Sequence, residues 1–426
     1  MLFPLALLAA PLVSGAFVAR DVHHEHTAKR ALPGTWYQAR DHPVHQLFKR
    51  GPTTDGIQYA EVGSPTWSAA YPVRTPDVNQ MPQAWLDALA KAEQEGKIPN
   101  VPQTTNTPQT NPKYPAGHDP MSPEVCSATY KCRIPGDVWD TPDGHFGTGF
   151  DDGPEPSSVR LIDFLQENGE DATHFMIGVN ILNNPQTFLH AFNSGGDLAL
   201  HTYTHPYMTT LDNKNIVAQL AWTMEIIHNS TGGRIPRYWR PPYGDYDVRV
   251  RAVAREVLGL EVILWNHDTE DWSIASGGTT MQAVNSSMSQ WLAGPKSPGL
   301  IILEHEHHEQ AVQAFIDAFP HVKANGWQMG SVARLAGGSV YQNEDASGNV
   351  VPALVAGPID ASQVNSGTSS STGSSSAPRS SSSSAATTSS GSNTGAAKNG
   401  AAAHAPASIS AFVASGVLAA LAFLAQ

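Results

Sequence analysis

The stretch HFGTGFDDGPEPSSVRLIDFLQENG, residues 145–169, reads as three pieces in succession. HFGTGF is an apolar run of strand length, and DDGPEP is built from the residues that turns use. SSVRLIDFLQENG has apolar residues at helical spacing. The same rhythm recurs along the chain: THFMIGV, DLAL, RYWR, EVILWN, GLIILE and, more weakly, WQMGSV are strand-like, and between them lie helical patterns such as IVAQLAWTMEIIH, DVRVRAVAREVLG and EQAVQAFIDAFP. Alternation at this spacing predicts an α/β fold with a parallel sheet. About seven units with no break that would mark a second half favour a closed or nearly closed barrel over an open doubly wound sheet.

Polar residues follow the strand-like runs. Asp151 and Asp152 come after HFGTGF, His201 and His205 after DLAL, Arg240 at the end of RYWR, Asp268 and Asp271 after EVILWN, and His305 at the end of GLIILEH. In parallel α/β sheets the reactive groups lie beyond the carboxyl ends of the strands, so five loops bring ionisable groups to one rim. HTYTH spaces His201 and His205 so that both imidazoles can face one point. A carboxylate from another loop would complete a three-ligand set with open positions, the pattern of a catalytic metal site.

The paired aspartates then divide the labour: one holds the ion and the other accepts a proton from the water beside it. Adjacent carboxylates repel, so the base needs a counter-charge, and Arg240 is the available cation. His305 is placed to protonate a leaving group, with Asp271 to orient its ring and favour the charged form. His307 and His308, in HEHHE, read as the solvated start of the next helix.

Five motifs carry a resemblance to a known family: FDDGP at 150–154, HTYTH at 201–205, RPPY at 240–243, DTEDW at 268–272 and LEH at 303–305. In this order they resemble the polysaccharide deacetylases of carbohydrate esterase family 4, and among these the secreted fungal chitin deacetylases. The resemblance implies a distorted (β/α) barrel of about seven parallel strands. It implies Asp151 as general base and His305 as general acid. Asp152, His201 and His205 would bind a divalent ion, zinc or in its place cobalt.

Arg240 and Asp271 would orient and charge-balance Asp151 and His305, the backbone amide of Tyr243 would help stabilise the oxyanion, and Trp272 with Leu303 would wall the pocket for the acetyl methyl. One residue departs from the family pattern: Gly149 stands where Thr is usual, which weakens the strand locally and removes no catalytic group.

The flanking segments rest on composition. Residues 1–16 have the form of a signal peptide, and 17–118 form a Pro- and His-rich extension, poor in order, with two dibasic pairs that suit processing. Only residues 82–95 look helical there, with Trp85, Leu89 and Ala92 on one face. The catalytic domain is expected over 119–340, followed by a Ser/Thr-rich stalk over 341–399. Residues 400–426 end in an uncharged apolar run and, with small residues at Asn399-Gly400-Ala401 and a spacer, have the layout of a glycosylphosphatidylinositol (GPI) attachment signal.

Cys126 and Cys132 suit one small disulfide loop in an oxidising compartment. Asn229 and Asn285 head glycosylation sequons. The net charge of −13, from 25 basic and 38 acidic residues, and the lack of a long basic run argue against nucleic acid as a partner.

The expectation is therefore a monomeric, metal-dependent amidohydrolase, secreted and lipid-anchored at the plasma membrane or wall, that removes N-acetyl groups from chitin. Two alternatives remain at this point: an O-acetyl xylan esterase using the same metal centre, and a catalytically silent wall-binding protein.

Overall fold

In the computed structural model, residues 54–107, 110–345 and 348–355 are described. The expected signal peptide, Asn399, the apolar tail and most of the Ser/Thr-rich segment lie outside them. Eight strands occur among the described residues: β1 (His145–Gly153), β2 (Thr173–Met176), β3 (Asp197–Leu200), β4 (Tyr238–Trp239), β5 (Glu261–Val262), β6 (His267–Asp268), β7 (Leu300–His305) and β8 (Gln328–Ser331). All pair in parallel. The order is β5-β4-β3-β2-β1-β7-β6, with β8 also on β1.

Seven apolar runs give eight strands because one run serves two neighbours. EVILWN begins as β5 against β4, then bends and continues into β6 against β7. At the bend the Leu264 amide donates to Val138 O, and Asn266 clips the chain through Asp140, Gly299 O and the Ile301 amide. The two ends of the sheet path are thus joined by residues 263–266 of one continuous segment, which makes the barrel a distorted one.

The glycines of β1 answer to packing. A Cβ on Gly147 would meet Thr141 Cγ2 at 2.6 Å, and one on Gly149 would lie 3.0 Å from Phe175 and 3.1 Å from Val332. Gly149 thereby lets the Val332 turn and Phe175 close on the strand that carries both aspartates.

Residues 54–107 and 110–118 differ from the poorly ordered extension expected. The helix Gln83–Gln94 buries Trp85, Leu89 and Ala92, the three residues its periodicity indicates, in one apolar cluster with helices Asn213–Ser230 and Val248–Leu258. Trp85 meets Trp222 edge to face at 5.0 Å. Trp67, 2% exposed, donates its indole N–H to Ser230 Oγ at 2.9 Å. Large aromatics bury some 150–250 Å² each, so a few such anchors hold a segment whose overall composition is polar.

The packed structure also runs past residue 340: the buried Asn343 side chain accepts from the Ile235 amide and donates to Gly233 O and Val351 O. Cys126 and Cys132 are disulfide-bonded, with Cα atoms 5.1 Å apart. Among the described residues no helix is long and apolar enough to cross a membrane.

Candidate active site

Strand register sets the first pair of groups. Asp151 and His305 are direct partners across β1 and β7, so two distant segments place a carboxylate and an imidazole side by side. Asp152 follows with a left-handed backbone (φ 71°), its carbonyl held by Asn180 Nδ2 at 2.9 Å. Both carboxylates still reach one point: Asp151 Oδ2 lies 3.8 Å and Asp152 Oδ1 3.4 Å from His201 Nε2.

Asp151 is 2% exposed and bonded to the fully buried Arg240, whose Nη1 donates to Oδ1 at 2.7 Å. The guanidinium is itself fixed: Nε and Nη2 donate to the carbonyls of Ile263 and Leu264 at 3.2 Å, and its plane lies 4.0 Å from the Phe175 ring centre. Burial pushes the Asp151 carboxyl up, and the Arg240 charge opposes that.

Asp152 Oδ1 lies 3.4 Å from His201 Nε2 and 3.3 Å from His205 Nε2. This oxygen is buried and without a hydrogen-bond partner. His201 donates Nδ1–H to the Arg240 carbonyl at 2.7 Å, which leaves Nε2 as the lone-pair nitrogen facing Asp152. Burial opposes ionisation of Asp152, but His205, His305 and His201 outweigh it and bring its carboxyl to about 2. Burial chiefly brings His201 and His205 down to about 4.

At neutral pH the cluster is one carboxylate and two neutral imidazoles, all within 4.8 Å of one another. An orphaned anionic oxygen between two lone-pair nitrogens fits a divalent cation of borderline character.

His305 is held at two points by Asp271: its backbone amide donates to Oδ2 at 2.8 Å and its Nδ1–H to Oδ1 at 2.6 Å. Burial disfavours the charged ring, yet the Asp271 carboxylate prevails and His305 is pushed up to about 10. At neutral pH this favours the imidazolium, which carries a proton on Nε2 as well as on Nδ1.

The Tyr243 backbone has φ 60°, and its N–H makes no hydrogen bond among the described residues. The Tyr243 ring stacks on Tyr207 at 4.0 Å and meets the His205 ring at 4.6 Å. Leu303 lies in β7 two residues before His305 and is buried, while Trp272, next to Asp271, is half exposed.

Three features were not legible in sequence. Gln219 Oε1 accepts from the Tyr203 and Thr204 amides at 2.9 Å and pins the HTYTH loop. Glu306 pairs with His174 at 3.0 Å in full burial beneath Gly153, where no Cβ would fit. His307 is no solvated helix start: it lies against Asp152, 3.9 Å away. His308 does begin the helix Glu309–Ala324, its Nδ1 accepting from the Ala311 amide.

The two sequons lie on helices. Asn229 Nδ2 donates to Glu225, and Ser230 and Thr231 beside it are buried. Asn285 is half-buried, with Nδ2 3.3 Å from Asp317.

Residues 140–263 match the polysaccharide deacetylase family. Chitin deacetylase 3 of Cryptococcus neoformans var. neoformans serotype D is 41% identical over 312 residues, 72% of this chain and 73% of that protein. Chitin deacetylase 2 of Saccharomyces cerevisiae is 36% identical over 46% of this chain and 60% of its own. The solved chitin deacetylase of Colletotrichum lindemuthianum aligns with a TM-score of 0.44 at 27% identity, over 48% of this chain and 93% of that one.

Proposed function

The chain belongs to the polysaccharide deacetylase family, and from that premise we propose that it hydrolyses the N-acetyl groups of chitin, giving glucosamine units and acetate. The observation that carries the reading is the placement of a buried Arg240–Asp151 pair and a buried Asp271–His305 pair on adjoining strands around the Asp152–His201–His205 cluster.

A divalent ion held by Asp152, His201 and His205 would supply positive charge to polarise the acetyl carbonyl and acidify the attacking water. Zinc is the ion proposed, with cobalt as the alternative.

The protein's own groups account for the protons. The Asp151 carboxylate, kept in place by Arg240, accepts the proton of the water as its oxygen bonds to the carbonyl carbon. The Tyr243 N–H, unbonded among the described residues, is the backbone donor for the oxygen that becomes negative. His305 then gives its Nε2 proton to the amide nitrogen as the C–N bond breaks, and the amine and acetic acid leave. A charged His305 suits this step, because an amine is a poor leaving group unless protonated. Leu303 and Trp272 are proposed to enclose the methyl.

The expected leader, Ser/Thr-rich stalk and apolar tail support action at the cell surface or wall from a GPI anchor. A phosphatidylinositol-specific phospholipase should then free the protein from cells.

Acetate release from chitin pentamer and from acetylated xylan, measured side by side, tests the substrate. Release from the chitin oligomer is expected. Release from xylan alone would make the protein an O-acetyl esterase, and release from neither would make it a silent binding protein.

A further inference from the structure

His307 takes no part in the chemistry above, yet it stands beside it. The residue lies two positions beyond the end of β7, with its ring centre 5.4 Å from that of His305 and 4.3 Å from that of His308. Its Nδ1 is buried and has no hydrogen-bond partner, although the side chain as a whole is 28% exposed. A buried polar atom left unpaired is destabilising. The acceptor it faces, at 3.9 Å, is Asp152 Oδ2.

The two oxygens of Asp152 thus face different groups. Oδ1 sits between the two imidazole Nε2 atoms, and no described residue donates a hydrogen bond to Oδ2. A carboxylate free to turn about its last bond can offer a cation either oxygen or both. One whose second oxygen is tied can offer only the first.

We propose that His307 is a positioning residue of the metal centre, donating Nδ1–H to Oδ2 of Asp152 so that Oδ1 is the single coordinating oxygen. The neighbouring anion selects the tautomer with its proton on Nδ1, since a lone pair there would face a negative charge. The separation must close by about 1 Å to reach hydrogen-bond length, a change that rotation of the carboxylate and a small swing of the ring supply together. Partners of this kind, behind the ligands themselves, typically change metal affinity by about 10–100-fold. The proposal rests on the reading of Asp152, His201 and His205 as the ligand set.

The experiment is zinc binding by the full chain, stripped of metal and titrated in competition with a chromophoric chelator. It compares the unmodified protein with His307→Ala and His307→Asn. The Asn side chain keeps an N–H close to the position of Nδ1 and loses the rest of the ring. His307→Ala should weaken zinc binding by about 10–100-fold, and His307→Asn should recover most of that loss.

Unchanged affinity in His307→Ala would overturn the proposal, as would a His307→Asn variant that is folded by circular dichroism and as weak as Ala, because packing alone would then explain the defect. If the Ala variant does not fold without metal, the Asn variant decides by itself. No zinc binding by the unmodified chain would overturn the metal centre, and this role of His307 with it.

Discussion

Replacement of Arg240 by methionine would separate the electrostatic role of this residue from its structural one. The guanidinium is 0% exposed, donates to Asp151 Oδ1 at 2.7 Å, and satisfies two backbone carbonyls. Methionine keeps much of the volume and none of the charge. Asp151 is then a buried carboxylate without a counter-ion, and its neutral form is favoured by the lost interaction. A hydrogen bond to a charged group contributes about 1.5–3 kcal/mol, or roughly 10–150-fold in the balance between ionised and neutral Asp151.

The base must be ionised to act, so the limb of the pH profile on which activity rises with pH should move to higher pH. The deficit in kcat/KM should be deepest on the acid side and shrink as pH rises. Breaking a buried pair also costs about 3–5 kcal/mol of stability, so the assay is run well below the variant's own thermal midpoint. Acetate release from chitin pentamer across the pH range is the measurement. A loss of equal size at every pH, with the acid limb unmoved, would refute the reasoning and leave Arg240 as scaffold only. Arg240→Lys should restore part of the acid limb and little of the stability, because one ammonium cannot reach the carboxylate and both carbonyls.

Asp151→Asn should lower turnover by about two to four powers of ten with metal still bound, whereas Asp152→Asn should bind metal weakly and regain activity in excess metal; elemental analysis beside rates distinguishes them, and the reverse pattern would exchange their roles. Asp271→Asn removes the carboxylate that holds His305 up to about 10, so the alkaline limb of activity should move to lower pH. The same pair bears on the stability of the metal-free protein. The folded value lies above the ordinary 6.5, so its contribution is complete below about pH 6.5 and is lost as pH rises through about 10; urea midpoints of the unmodified chain and Asp271→Asn should converge at the alkaline end. Trp85→Ala should cost about 3–5 kcal/mol in urea unfolding, and a cost below about 1 kcal/mol would mean that the helix Gln83–Gln94 is not part of the folding unit.

What could be read from sequence was what is written locally. Strand and helix periods are properties of a few consecutive residues, so the alternation, the parallel sheet and the face of the 83–94 helix were accessible from the chain alone. The polar groups at the strand ends were accessible for a related reason: in a parallel α/β sheet all carboxyl ends lie on one rim, so sequence position already gives approximate place. The five motifs added the roles proposed for them.

Tertiary structure decided the relations between segments with no local signature. The 261–268 segment splits between β4 and β7 because Asp140, Gly299 and Ile301 hold Asn266 from elsewhere in the chain. Residues 54–107 look like linker by composition, yet a few buried aromatics, spread too thinly to alter that composition, dock them on helices far along the chain.

His307 shows the same limit at the site itself. A histidine after a strand and before a helix is a solvated cap by every local criterion; His308 does cap the helix, but its Nε2 is buried. Only the register of β1 against β7, a pairing of residues more than a hundred positions apart, brings its neighbour against Asp152. Local pattern can specify which groups a chain carries to a rim, but the distances between them follow from hydrogen-bonded register and packing, which belong to the folded whole.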